Sequence, residues 1–133
     1  MKKVLKVGDY MVSIKLNLDM AQIQKVCAKC DVDAKPQHYL YFAFDGDACL
    51  ATGLFKAEEN IAEPLFYDGP HDDSRLFDAV LRTGLNYAAQ QGTPMGRLCA
   101  GFRKAHKGHF EELSYPESDI FNIEDFFMRK ICG

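Results

Sequence analysis

Residues 61–92 read IAEPLFYDGPHDDSRLFDAVLRTGLNYAAQQG, and the hydrophobic period changes partway through. Ile61 to Tyr67 is apolar and aromatic, and Asp68-Gly69-Pro70 supplies residues that suit a turn. From about Asp73 the spacing becomes helical. Leu76, Phe77, Val80, Leu81, Leu85 and Ala88 take one face, and Asp78, Arg82, Asn86 and Gln90 take the other. Asp72, Asp73 and Ser74 are caps for the exposed N–H groups of the first turn. Gly92 closes the helix in the left-handed conformation and Pro94 prevents a restart. The stretch is a strand–turn–helix unit, an arrangement that offers the helix N-terminus to a ligand.

The flanking sequence is strand-rich. Before the unit, His38 to Asp45 is a dense strand, and Ala48 to Lys56 returns after the tight Asp45-Gly46 turn. Ala57-Glu58-Glu59-Asn60 turns the chain into Ile61–Tyr67, a third antiparallel strand. Pro64 cannot donate to a ladder, so a bulge or a gap in pairing is expected beside it. Further towards the N-terminus, Gly8-Asp9 reads as a hairpin turn between two apolar runs. Asn17 or Asp19 caps a helix that carries Met20, Ile23, Val26, Cys27 and Cys30 and ends before Pro36. After the unit, Gly96–Phe102 reads as a strand parallel to Ile61–Tyr67, because a helical crossover of that length favours a parallel return. His106–Leu113 is a short helix, Ile120–Ile123 is extended, and Glu124–Ile131 is a terminal helical turn or two.

The chain is expected to be an α/β fold of the α+β type. Residues 1–133 form a single domain with a mixed, mostly antiparallel sheet and a central strand–helix–strand crossover. A chain of 133 residues, 47% hydrophobic and 26% charged, is ordinary for one globular domain. A net charge of −3 without a basic stripe argues against a nucleic-acid partner. No apolar run is long enough for a membrane span, and no signal-peptide core stands at the start, so a cytoplasmic location is expected. Five cysteines at irregular spacing favour free thiols, with Cys27 and Cys99 as buried core residues.

The order of strand, helix, three-strand meander, long helix, strand, short helix and short strand resembles the GNAT N-acetyltransferase superfamily. The likeness is strongest from Tyr39 to Ile123. It rests on the Asp45-Gly46 hairpin, on Leu65-Phe66-Tyr67 running into the central helix, and on Ala79-Val80-Leu81 followed by Tyr87-Ala88 and Gly92. Phe110-Glu111-Glu112-Leu113-Ser114-Tyr115 resembles a worn form of the signature after the fifth strand. The resemblance implies that acetyl-CoA, as co-substrate, lies between two splaying strands. Leu65, Phe66 and Tyr67 would hold the pantetheine arm, and Arg75, Leu76 and Phe77 the pyrophosphate at the helix start. It implies an amine acceptor, either a small molecule or a peptide, with Tyr115 or His109 giving a proton to the departing thiolate.

Against the family's phosphate loop, Asp72, Arg75 and Phe77 stand at its three fixed positions, two of them bulky where glycine is usual. Phe110 stands where a tyrosine is frequent, and Arg103 where an asparagine is. A second reading is therefore a catalytically degenerate binding or dimerisation module, which allows a homodimer. Cys27-x-x-Cys30 and His106-x-x-His109 could ligate zinc, but each pair reads as well without a metal, and no metal is expected. Glu58, Glu59 and Glu63 include a candidate general base for an amine, with solvated turn residues as the commoner outcome. Tyr39 and Tyr41 fit core packing, and Tyr67 is a further candidate proton donor.

Overall fold

The structure is a computed structural model; it describes the backbone of residues 2–7 and 10–132 and the side chains of residues 12–127. The Gly8-Asp9 turn lies outside the described residues. β1 (Lys2–Val7) and β2 (Tyr10–Asn17) are antiparallel, and α1 (Met20–Lys29) follows. β3 (His38–Asp45), β4 (Ala48–Glu58) and β5 (Ile61–Asp68) continue the antiparallel ladder. α2 (Ser74–Gln90) crosses to β6 (Met95–Arg97), which is parallel to β5. α3 (Ala100–Ala105) and α4 (Lys107–Glu112) precede β7 (Ile120–Asn122), antiparallel to β6, and α5 (Ile123–Cys132) ends the chain. All seven strands form one sheet in chain order. This is the expected α+β architecture, a mixed and mostly antiparallel sheet with one parallel crossover.

Turn chemistry explains the meander. Gly46 takes a φ of +60° at the β3–β4 turn, and Glu59 and Asn60 take +54° and +68° between β4 and β5. Left-handed residues match the twist of a tight hairpin. Alternation along β3 explains the layers. Tyr39, Tyr41 and Ala43 face α2, while Leu40, with Leu54 of β4, packs against Ile23, Val26 and Cys27 of α1. The two helices thus cover opposite faces of the sheet.

α2 follows the pattern read from its sequence. The Asp73 carboxylate accepts from Leu76 N at 3.0 Å, Gly92 sits at φ +96°, and Thr93 N bonds Ala88 O at 2.8 Å. Leu76, Phe77, Val80, Leu81, Leu85 and Ala88 are at most 1% exposed. Each larger apolar side chain buried this way stabilises the fold by about 1.5–3 kcal/mol.

Two expectations need correction. The segment 96–102 is not one strand, because β6 ends at Arg97 and Ala100–Ala105 is helical. Leu98 and Phe102 are buried, and a run of apolar residues alone does not distinguish a strand from a helix start. As a consequence Cys99 becomes the N-cap of α3 and is exposed, whereas Cys27 is buried as expected. Among the described residues, no helix is long and apolar enough to cross a membrane.

Candidate functional site

β5 and β6 pair only at Ile61–Met95 and Ala62–Gly96. β6 then turns away into α3, while β5 runs on to Asp68. The strands therefore separate at their C-terminal ends. Pro64 has no N–H to give the ladder, and the β4 partners shift from Leu54–Phe66 to Phe55–Pro64, leaving Leu65 unopposed. The expected bulge is present. It turns Leu65 and Phe66 towards the α1 side and returns Tyr67 to the α2 side, so these three candidate residues stand where the strands diverge.

Aromatic side chains from α3 and α4 pack into this region. Phe77 stacks on His109 with centroids 4.4 Å apart and lies 5.4 Å from His106 and 5.5 Å from Phe110. Tyr67 meets Phe77 and His106 edge-on at 4.9 and 5.6 Å. Ser74 Oγ and His109 Nδ1 are hydrogen-bonded at 2.8 Å, which ties α4 to the first turn of α2. The side chains of Leu76 and Phe77 are wholly buried, and the Leu76 N–H already serves the Asp73 cap. Arg75 is the member of that trio whose side chain is exposed.

A cavity of about 290 Å³ lies between Tyr67–Gly69 and His71 on one side and residues 105–109 on the other. Burial, the largest effect, lowers the His109 pKa against the opposing carboxylates of Glu112 and Asp73. Burial and the neighbouring His109 lower that of His106. Both rings are thus kept mainly neutral near neutral pH and can accept a proton or a hydrogen bond.

Tyr115 is placed elsewhere. Its hydroxyl donates to Asp78 Oδ1 at 2.5 Å, and Arg82 Nε donates to Asp78 Oδ2 at 2.8 Å. Burial, reinforced by the Asp78 carboxylate, raises the Tyr115 pKa well above its usual value. A phenol so held gives up its proton reluctantly at neutral pH. Tyr115 and His109 line different cavities.

Glu63 is not a solvated turn residue. It is 9% exposed and its carboxylate accepts from Arg97 Nη2 at 2.9 Å and Nε at 3.1 Å, bridging β5 and β6 beside their last pair. No sequence signal marked this pair, since the partners are 34 residues apart. Ser74 reads as a cap from its place in the sequence, and its link to His109 depends on tertiary structure. Glu58 and Glu59 are exposed. Cys27 packs with α1 and His109 with α2, on opposite faces of the sheet. Among the described residues, no group of three or more His, Cys, Asp or Glu could hold a metal ion.

No protein-family model matches the chain. No curated protein matches it. Among solved structures it is similar to a probable acetyltransferase from Staphylococcus epidermidis ATCC 12228, at 16% identity and a TM-score of 0.47. The match covers 72% of this chain and 60% of that one, so the chain spans about 60% of that protein's length.

Proposed function

We propose that the protein is a GNAT-like N-acetyltransferase that moves acetyl from acetyl-CoA to an amine on a small molecule or peptide. The observation that carries this reading is the divergence of β5 from β6 after Ala62–Gly96, with the bulge at Leu65 inside the divergent part. A strand edge left without a neighbouring strand suits the amides of a pantetheine arm, which would pair as an added strand does. N–H groups at Leu65–Tyr67 would polarise the thioester carbonyl as negative charge develops there. The amine nitrogen attacks that carbon, the C–S bond breaks, and the proton that the amine gives up passes to the thiolate. His109, lining the cavity beside the start of α2, is better placed than Tyr115 to handle it.

One observation favours the second reading, a binding module without catalysis. His109 stacks on Phe77 and bonds Ser74 in the first turn of α2, the turn at which a pyrophosphate would bind. The cavity beside His109 is small for a cofactor of this size, since pockets for drug-sized ligands are roughly 300–1,000 Å³. Incubation with radiolabelled acetyl-CoA and a panel of amines distinguishes the two. Acceptor-dependent transfer of label supports the enzyme. Binding of acetyl-CoA without transfer, or no binding, supports the module.

A further inference from the structure

A second cavity lies away from the β5–β6 gap, between the α4–β7 loop, β7 and α5. It is an open groove of about 1020 Å³ walled by Met95, Tyr115, Ile120, Phe121 and Phe126, with Asp125 at its border. Hydrogen bonds tie its walls together. Tyr115 is bonded to Asp78. Arg103 donates to the carbonyls of Leu98, Pro116 and Ser118 at 3.0, 2.6 and 3.3 Å from behind the loop. Ser118 Oγ donates to Ile120 O at 2.8 Å. Ile120 nonetheless leaves 44% of its surface in solvent, and it is one of three exposed large hydrophobics among the described residues.

Exposed carboxylates outnumber cations along the segments that wall the groove. Residues 108–128 include Glu111, Glu112, Glu117, Asp119, Glu124 and Asp125 and no Lys or Arg; the next cations in the chain are Lys107 and Arg129. All six carboxylates are exposed. Glu117, Asp119 and Glu124 are chain neighbours of residues that wall the groove. The nearby described cations are engaged: Arg97, opposite Ile120 on β6, pairs with Glu63, Arg103 turns its guanidinium to backbone carbonyls, Arg82 turns to Asp78 and the ring of Phe127, and Lys107 lies 3.7 Å from Glu111.

We propose that this groove docks a basic peptide segment of a partner protein, with apolar side chains on the aromatic floor and Lys or Arg against the acidic rim. The apolar floor supplies the burial, and the carboxylates select the sign of the partner and speed its approach. Walls already tied by these hydrogen bonds have less freedom to lose on binding. The size and openness suit a peptide better than an enclosed metabolite, and an anionic surface would be repelled. The proposal is independent of acyl transfer.

Fluorescence anisotropy with the full chain tests it, using a short labelled peptide that alternates Lys and Leu and a counterpart that alternates Glu and Leu. The Lys–Leu peptide should bind and should weaken several-fold as salt is raised to physiological strength. The Glu–Leu peptide should not bind. The double change Glu117→Lys with Asp119→Lys, and separately Ile120→Ser, should each weaken binding about tenfold or more at an unchanged urea midpoint. Asp45→Lys with Asp47→Lys, on the distant β3–β4 turn, should leave it unchanged. Absent Lys–Leu binding, equal binding of the acidic peptide, or unaltered affinity in the groove variants would overturn the proposal. So would displacement by spermine as effective as by unlabelled peptide, which would mark a small-polyamine site instead.

Discussion

The hydroxyl of Tyr39, on β3, donates a 2.7 Å hydrogen bond to the carbonyl of Gly84, in the middle of α2. The bond is buried and joins residues 45 positions apart. Between the two elements lies Phe55, stacked on Tyr39 at 5.3 Å, and a Cβ on Gly84 would sit 2.2 Å from its ring. The helix therefore approaches the sheet as closely as a residue without a side chain permits.

Gly84→Ala should destabilise the protein, although alanine is the better helix former by about 1 kcal/mol. The added methyl must displace a ring that is wholly buried, and such overpacking costs about 1–3 kcal/mol. Tyr39→Phe should cost about 1 kcal/mol, the usual net worth of a hydrogen bond. Urea unfolding of both variants checks this. A Gly84→Ala midpoint at or above that of the parent would show that the helix can move off the sheet.

Stability should fall as the solution is made acidic. Burial lowers the pKa values of His38, His106 and His109, and His38 Nδ1 already accepts from Lys35 N at 2.9 Å. A histidine whose folded pKa lies below its unfolded value takes up its proton first in the unfolded chain. Its contribution is thus intact above about pH 6.5 and declines as pH drops through the interval down to the folded pKa. Thermal melts between neutral and mildly acidic pH should show a steady loss, reduced in His38→Gln. Melting that is flat over that range would contradict the neutral state of the three rings.

The thiols should divide by environment. Cys49 and Cys99 are exposed, whereas Cys27 is buried and Cys30 half-buried. Burial raises the pKa of both Cys27 and Cys30, which keeps them as unreactive thiols. Under native conditions a disulfide reagent should modify Cys49 and Cys99 quickly and Cys27 only on unfolding. Peptide mapping would detect the contrary pattern, or a disulfide between Cys27 and Cys30.

The architecture could be read from sequence where local rules act alone. Asp45-Gly46 turned as its chemistry requires, Pro64 produced the bulge at Leu65, and the six apolar positions of α2 became its buried face. Local rules failed at Leu98–Phe102, where an apolar run served as the end of a strand and the start of a helix. They also could not reveal the Glu63–Arg97 bridge or the Ser74–His109 bond, because each joins residues more than 30 positions apart. Of the candidate site, the strand segment Leu65–Tyr67 was legible. The arrangement of His106, His109 and Ser74 depends on how α3 and α4 fold back.

The acyl-transfer reading is decided by what happens at that fold-back. If acetyl-CoA binds along β5, its pyrophosphate must reach the start of α2, and His109 must release Ser74. A ligand at 100 times its dissociation constant stabilises a protein by about 2.7 kcal/mol, which for this length is a melting shift of several degrees. Millimolar acetyl-CoA should give a smaller but measurable shift, because breaking the Ser74–His109 bond costs about 0.5–1.5 kcal/mol. Ser74→Ala removes that cost and should enlarge the shift. Arg75→Glu should diminish it, since Arg75 is the exposed cation at the helix start beside Asp72 and Asp73. Phe77 is unsuitable for the test, because deleting a wholly buried ring costs about 3–5 kcal/mol by itself. Were neither the parent nor Ser74→Ala to shift with acetyl-CoA or CoA, the acetyltransferase reading would fail and the binding module would stand.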